Sequence, residues 1–545
     1  MNEATISRAR LVELLWQLKQ QLDQSGGAGE IRFVHFNTLL NDPQYRDEVI
    51  RHAAHSSVKK VRALGQQLIT VDQKNAALLS SSHQYAQPGN RAESAPQMQT
   101  QTQRRGGSSK RVPVISLIAL ALLLGSYAGW RYYQDIRQAV SGIQVVSGSI
   151  EGNERWRAGR TVRLDGLTFV ESGAKLTIEP GVTVLGAPGS ALVVTRGARI
   201  FARGTASEPV VFTSAQPEGH RVSGDWGGVV LLGAAPVNAG NAHIEGIESG
   251  DSRGDFGGND ISYSCGVMEY VRIEFAGQEI SKDNELNGLT LGGCGSDTIT
   301  RYIQVHRGKD DGIELFGGSA NLQYIVITGA ADDSLDWDMG WRGQVQFLVA
   351  QQHKDTGDNA FEGDSNKADH DAEPRSEPVI YNATLVSPRS RGKLQRAMTI
   401  RRGSAGQFYN FLVSGFSGEL IDISDASSAQ LASQGDIRFE GLITHATASF
   451  DDESGDSDDD AGFDEAQWLA SNNSGLLLDR DPALPRSARD SINPSFVPAR
   501  SSPAMSGGRR PPKGEFWDES ATYLGAVRPG SISTWLDGWT HFPAH

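Results

Sequence analysis

The sequence predicts a mainly β chain, a right-handed parallel β-helix that follows a single transmembrane helix and a small α-helical N-terminal module. Three observations lead there. Short β-type runs recur every twenty-odd residues after about residue 145, an uncharged aliphatic stretch lies near residue 120, and helical periodicity is confined to the first 75 residues.

The recurring runs carry the fold class. One kind is an aromatic followed by aliphatics: Tyr270-Val271-Arg272-Ile273, Tyr302-Ile303-Gln304-Val305, Tyr324-Ile325-Val326-Ile327, Phe347-Leu348-Val349, and later Tyr381, Tyr409 and Phe439. The other reads NGLTL from Asn287, DGIEL from Asp311, DSLDW from Asp333, NAFE from Asn359 and RAMTI from Arg396. The aromatics are spaced by 22 residues and then 23, and the second run by 24, 22 and 26. A period in the low twenties, with two or three short strands per repeat, suits a solenoid in which each coil gives one strand to each sheet. Leucine-rich repeats share the period, but their asparagine ladder and leucine scaffold are not read here, and a β-sandwich would not keep so regular a spacing. The 62 glycines fit a fold with many tight turns.

Residues 112–130 (VPVISLIALALLLGSYAGW) carry no charge and match the length needed to cross a hydrocarbon core of roughly 30 Å. Arg104, Arg105, Lys110 and Arg111 crowd the N-terminal side, against Arg131 and Arg137 beyond it. The positive-inside rule then places the N-terminus in the bacterial cytoplasm and the β-helix in the periplasm, on an uncleaved anchor in the inner membrane. Upstream, Leu11, Leu14, Leu15, Leu18 and Leu22 share one helical face, Asp42-Pro43 starts a second helix, and Val58, Val61, Leu64 and Leu68 mark a third. The domain reading is a helical module over 1–75, a Gln/Ser/Gly-rich linker over 76–111, the span over 112–130, the β-helix over 145–448, and an acidic loop with a C-terminal extension or cap over 449–545. Nothing identifies a cytoplasmic partner for the module.

A formal charge of −14 argues against a nucleic-acid protein, whose binding surface is normally basic. Two cysteines, Cys265 and Cys294, cannot build a thiolate metal cluster. Outside the cytoplasm they can form one disulfide between coils; two buried thiols are the alternative.

Several segments resemble a family of bacterial envelope or secreted right-handed parallel β-helix proteins: LTIEPG from Leu176, GDWGG from Gly224, DDGIELFGG from Asp310, DDSLDWDMGWRG from Asp332 and WLDGWT from Trp535. The resemblance covers roughly residues 145–545. It implies the fold and an envelope location, and it carries no catalytic residue that can be transferred. The cytoplasmic module and internal anchor depart from the secreted or lipid-anchored pattern of that family.

Aligning the second run of each coil gives columns. With Ile313, Leu335 and Phe361 inward, Glu314, Asp336 and Glu362 point outward, and Asp338 and Asp364 continue the face two positions on. Coils stack about 4.8 Å apart, so these carboxylates form a ladder. Two unit charges near 5 Å repel by a few kcal/mol at an effective dielectric of about 20. Such a ladder calls for shared protons or a hard cation, most simply Ca²⁺ bridging coils through oxygen ligands. Asp310, Asp311, Asp332, Asp333 and Asp358 in the preceding turn read as caps accepting hydrogen bonds from local amides.

One coil later the sign changes, with Arg396, Arg401 and Arg402, and Arg389 and Arg391 in the loop before. Acidic and basic coils can simply neutralise each other. The alternative is a groove for an acidic polysaccharide, similar to calcium-dependent polysaccharide lyases, with Arg401 as base and Lys309 or His306 as alternates. A glycoside hydrolase would use two of Glu314, Asp336 and Glu362 as acid and base or nucleophile, since adjacent and alternate coils bracket the separations of retaining and inverting enzymes. The remaining features carry less. His353 and His370 flank Asp355, Asp369 and Asp371 in a polar insertion of no compact metal spacing, Ser334 lacks a nucleophile elbow, and the Asp451–Asp460 run lacks the spacing of a calcium-binding helix–loop–helix. The leading expectation is a non-catalytic module that binds a glycan or an envelope protein, and the competing one is a polysaccharide-active enzyme. A relay to the cytoplasmic helices ranks last, since a single span transmits poorly without dimerisation.

Overall fold

The computed structural model describes Leu14, Leu15, Leu18, Gln21, residues 43–79 except 57, and residues 142–545 except 241, 282–283, 355, 390–391, 448–449 and 451–459. The expected span over 112–130, most of the linker, Arg391, and Asp451 to residue 459 lie outside the described residues. Among the described residues no helix is long and apolar enough to cross a membrane.

The chain divides into two compact units, residues 1–111 and 112–545. In the first, helices Pro43–Ala54 and Lys59–Leu79 pack with Leu14, Leu15 and Leu18 around Val49, Ile50, Val61 and Leu68. The second of these helices runs to Leu79, past the boundary expected at 75. Gly65 sets how closely the two helices approach: a Cβ there would lie 2.4 Å from the Ala54 backbone nitrogen.

The second unit is a parallel β-helix. Its strands pair in parallel with the equivalent strand one coil on, so that Leu289, Ile313, Leu335, Phe361 and Met398 stack inside one sheet. All five are 0–1% exposed and belong to one continuous core that runs from Trp156 to Leu469. Burying each contributes about 1.5–3 kcal/mol. The C-terminal end of this core is closed by two short helices, Ala426–Gln434 and Glu465–Asn472, which the sequence reading missed. Asp425 and Asp464 cap their N-termini, and Trp468 lays its ring edge-on to Phe439 while donating to the Ala432 carbonyl at 2.9 Å.

The aromatic runs mark a bend rather than a simple strand. Tyr270, Tyr302, Tyr324 and Phe347 all have φ of 52–65° and stack with centroids 4.2, 4.4 and 5.1 Å apart. A bulky residue in this left-handed region costs of order 1–3 kcal/mol, which the stacking helps to offset. The expected continuation of this column through Tyr381, Tyr409 and Phe439 is corrected by the register. Tyr381 pairs with Gln346 and with Tyr409, and Phe439 pairs with Phe408. The bend positions are instead Asn382 and Asn410, with φ of 58° and 64°, because asparagine tolerates this conformation better than an aromatic.

Residues after 480 run along the flank of the β-helix, docked by a row of side-chain amides, buried except for the half-buried Gln323. Gln304 donates to the His541 carbonyl at 2.7 Å, Gln323 to Phe516 at 2.7 Å, Gln351 to Ala488 at 3.0 Å, and Asn410 to Arg509 at 2.8 Å. Trp539 meets the Tyr270 and Tyr302 rings edge-on. The segment is therefore a strap over the aromatic bend column. Cys265 and Cys294 are joined in a buried disulfide, 29 residues apart.

Because Phe361 is fully enclosed between rungs, Phe361→Ala is expected to destabilise the β-helix by about 3–5 kcal/mol, read as a lower urea midpoint, with little change for Ile299→Ala on the exposed face.

Candidate functional site

The acidic column is built by strand alternation and coil register. Strands Ile313–Phe316, Leu335–Asp338 and Asn359–Gly363 pair so that Glu314 faces Asp336 and Asp336 faces Glu362; Thr290 precedes and Thr399 follows in the same column. Two positions on, Asp338 lies opposite Phe316. The neighbours Ile313, Leu315, Leu335 and Phe361 are core residues, so the acids lie on the outer face of the sheet. Glu314 and Asp364 are nevertheless covered, at 7% and 4% exposed, whereas Asp336, Asp338 and Glu362 are half-buried.

Part of the cover comes from an inserted hairpin, strands Ala242–His243 and Asp255–Phe256, which sequence reasoning did not place at the site. Its Ile244, Ile247 and Phe256 pack against Leu232 and Phe316, beside the acidic column. Between the two strands it carries Glu245, whose charge acts on both Glu314 and Asp310. No local motif marks Glu245 in the sequence.

The column splits electrically. At one end Arg401 forms ion pairs with Glu362 and Asp364, and Arg402 with Asp364. Arg396 is turned aside to Glu419, 2.7 Å away, and to Asp422. At the other end, Asp311, Glu314 and Asp336 have no ion-pair partner among the described residues. The carboxylate oxygens these three offer lie within 4.8 Å of one another. A second group, Asp310, Asp311 and Asp332, meets the same limit and shares Asp311. Glu314 accepts a close hydrogen bond from the Asn287 amide, whereas Asp336 Oδ1 is buried without a hydrogen-bond partner.

The turn acids differ from the expectation of local caps. Asp311 N–H bonds Asn287 Oδ1 at 3.2 Å, Asp333 N–H bonds Asp311 Oδ1 at 2.8 Å, and Asn359 N–H bonds Asp333 Oδ1 at 2.6 Å. The side chains of Asn287, Asp311 and Asp333 thus form an Asn/Asp ladder, each accepting from the equivalent amide one coil on, and Asn359 ends it by accepting from the Thr399 hydroxyl at 2.8 Å. Stacked coils bring the next amide nearer than the side chain's own turn does. Asp332 is exposed, and Asp358 lies 3.9 Å from Arg396.

Burial, then mutual repulsion, pushes the carboxyls of Asp311, Glu314, Asp333 and Asp336 well above the ordinary range. Burial raises Asp338 to about 6 and Asp310 and Glu245 to about 7. Burial alone would lower Arg401, but the Asp364 and Glu362 carboxylates hold its guanidinium above its ordinary value.

The candidate bases are occupied elsewhere. Arg401 is fully charged between two carboxylates. Lys309 reaches Glu279 at 3.4 Å. His306 is buried beneath the strap, bonded to Thr328 and to the Pro543 carbonyl, and burial holds it near 3. His353 lies with its ring 5.9 Å from His306, and His370 bonds Ser427, so neither joins the acidic column. Asp460 caps the amides of Gly462 and Phe463.

Buried acids with raised pKa values hold protons that the unfolded chain releases near pH 4, so the native state binds more protons between about pH 4 and 7 and stability falls as pH rises through that window. Acids held low act in a separate window: Asp251, kept at about 2 by its hydrogen bond with Arg253, loses its contribution only below about pH 4. In chelator, the melting temperature is therefore expected to drop between pH 5 and 7.5, and Asp336→Asn should flatten that drop.

The comparisons agree with this architecture. No curated protein and no solved structure matches the chain. A family model described as a pectate-lyase-like β-helix domain matches residues 148–475, from the first strand to the last. With a parallel β-helix observed over the same residues and more than half of the chain matched, the protein belongs to the pectate-lyase-like β-helix family.

Proposed function

We propose that this protein is a membrane-anchored envelope β-helix whose acidic rungs bind a divalent cation, most simply Ca²⁺, and present it to an acidic glycan without cleaving it. The reading rests on one observation: Asp311, Glu314 and Asp336 offer oxygens within 4.8 Å of one another at the end of the column where, among the described residues, no arginine forms an ion pair. A hard cation takes such oxygens at 2.3–2.6 Å, and an all-carboxylate set suits Ca²⁺ or Mg²⁺ better than softer metals. The buried, unbonded Asp336 Oδ1 is the kind of atom that an ion would satisfy. Bound there, the ion would supply positive charge to orient a carboxylate-bearing sugar. Glu245, Asp310 and Asp338 border it and would add ligands or hydrogen bonds.

Binding is favoured over turnover because each candidate base is engaged in an ion pair or covered by the strap. Family membership favours a polysaccharide as partner and keeps one enzymatic reading in view. Glu314 and Asp336 sit on adjacent rungs with raised pKa values, as an acid and a nucleophile or base of a hydrolase would. An envelope protein is the alternative ligand. Export through an anchor at 112–130 is supported by the charge asymmetry around that run and by the Cys265–Cys294 disulfide, since disulfides persist outside the cytoplasm.

At pH 7.5, Ca²⁺ at about a hundred times its dissociation constant should stabilise the β-helix by about 2.7 kcal/mol, read as a higher melting temperature that chelator reverses and Asp336→Asn abolishes. A melting curve indifferent to Ca²⁺, Mg²⁺ and chelator would remove the cation from the reading.

Incubation with a panel of acidic polysaccharides should give Ca²⁺-dependent retention without new reducing ends or unsaturated products. Products that disappear in Glu314→Ala would replace the binding reading with a catalytic one.

A further inference from the structure

We propose that the first coils of the β-helix carry a basic face that docks on an anionic lipid bilayer and so orients the solenoid on its membrane. This rests on the reading of residues 112–130 as an anchor.

The face follows from alternation. Strands Asn153–Trp156, Lys175–Ile178 and Arg199–Arg203 pair in register, with Trp156, Leu176, Ile178, Ile200 and Ala202 in the core. Arg155, Lys175, Arg199 and Arg203 therefore stand on the outer face, and all four are exposed. Arg155 is spoken for by Glu179 at 2.7 Å. Arg203 lies opposite Glu269 on the next rung, an acid that Arg301 holds in an ion pair, and Arg199 donates one N–H to the Ser264 carbonyl; no ion pair holds Lys175, Arg199 or Arg203 among the described residues. Lys175 lies opposite Arg199 on the neighbouring rung, and like charges about 5 Å apart repel unless an anion lies over both. Beside them the half-buried Phe201 and the 41% exposed Ile299 flank the buried Val267 in one apolar column. Cations around an apolar stripe suit a headgroup layer, which is anionic above and apolar below.

The charge is polarised along the solenoid. Residues 151–203 contain eight Lys and Arg against five Asp and Glu, whereas residues 310–364 contain eleven acids against two bases. A chain with a net charge of −14 thus reserves a positive surface for the coils nearest the anchor. Eleven residues separate Trp130 from Gly142, where the described β-helix begins, and they span at most about 40 Å. A tether this short keeps the basic coils at high effective concentration beside the headgroups, where each exposed cation gains from an anionic surface. The acidic coils farther along are repelled by the same surface, which turns them toward the aqueous side. An acidic glycan is the competing occupant of the basic face, but it has no comparable reason to favour the coils next to the anchor.

The test uses the full chain reconstituted into vesicles of phosphatidylcholine alone or with about one-third phosphatidylglycerol, with the β-helix facing the buffer. Amine-reactive labelling of Lys175 is compared with that of Lys513, an exposed lysine in the C-terminal strap. Lys175 labelling should fall about fivefold or more on the anionic vesicles and recover in about 1 M salt, where the Debye length is about 3 Å. Arg199→Gln combined with Arg203→Gln, which places no new acid opposite Glu269, should remove the lipid dependence without lowering the melting temperature. Equal labelling of Lys175 on both vesicles overturns the proposal, as does protection by soluble polygalacturonate on neutral vesicles without protection by anionic lipid. An alkaline carbonate wash reports separately on the anchor. If the chain washes off, the anchor reading fails, and co-sedimentation of the released chain with anionic but not neutral vesicles, lost in the double variant, decides for the basic face; no such co-sedimentation decides against it.

Discussion

The hydrogen-bonded stacking of each coil on the one before is the constraint from which the rest of the β-helix follows. A strand one rung away is the nearest partner for every backbone amide, so register passes from coil to coil and equivalent side chains must share a column. The inward columns gain from this, because Leu289, Ile313, Leu335, Phe361 and Met398 fill one another's space. The turn column gains as well, because the Asn/Asp ladder from Asn287 to Asn359 uses the next coil's amide as its donor. The bend column is the compromise: four aromatics accept a left-handed backbone in return for a continuous stack roofed by Trp539.

The same stacking makes an outward column of acids costly. Glu314, Asp336 and Glu362 cannot move apart without breaking register, and the burial of Glu314 removes the water that would screen it from Asp336. The chain resolves half of the problem with Arg401 and Arg402, which neutralise Glu362 and Asp364. The other half, Asp311, Glu314 and Asp336, has no ion-pair partner among the described residues, and burial with mutual repulsion holds its carboxyls well above their ordinary range. A fold concerned only with stability would place hydrophobic or amide groups there, as it does at Gln304 and Gln346 on the strap side. Repulsion left unrelieved at one end of an otherwise neutralised column is the feature on which the proposed cation site rests.

Charge also distinguishes the two regions of the solenoid. The N-terminal coils are basic and exposed, the middle coils acidic and covered, and the flank beneath the C-terminal strap is closed by amide-to-carbonyl bonds. Three faces thus carry different chemistry on one repetitive scaffold.

The sequence by itself determined the repeat, its parallel coils, and the alignment of Glu314, Asp336 and Glu362, because a strand alternates with period two and a coil recurs every 22–26 residues. Those are local rules that need no knowledge of the rest of the chain. Only the tertiary structure decided what surrounds the column. Glu245 arrives from an inserted hairpin, Arg401 turns to Glu362 and Asp364, and residues after 480 fold back over His306. Each of these contacts joins residues with no periodic relation. The break in the aromatic column after Phe347 has the same origin: inward aliphatics set the register there, and the bend fell on Asn382 instead of Tyr381. Periodicity places residues on a face, whereas charge state and access depend on neighbours brought in from elsewhere in the chain.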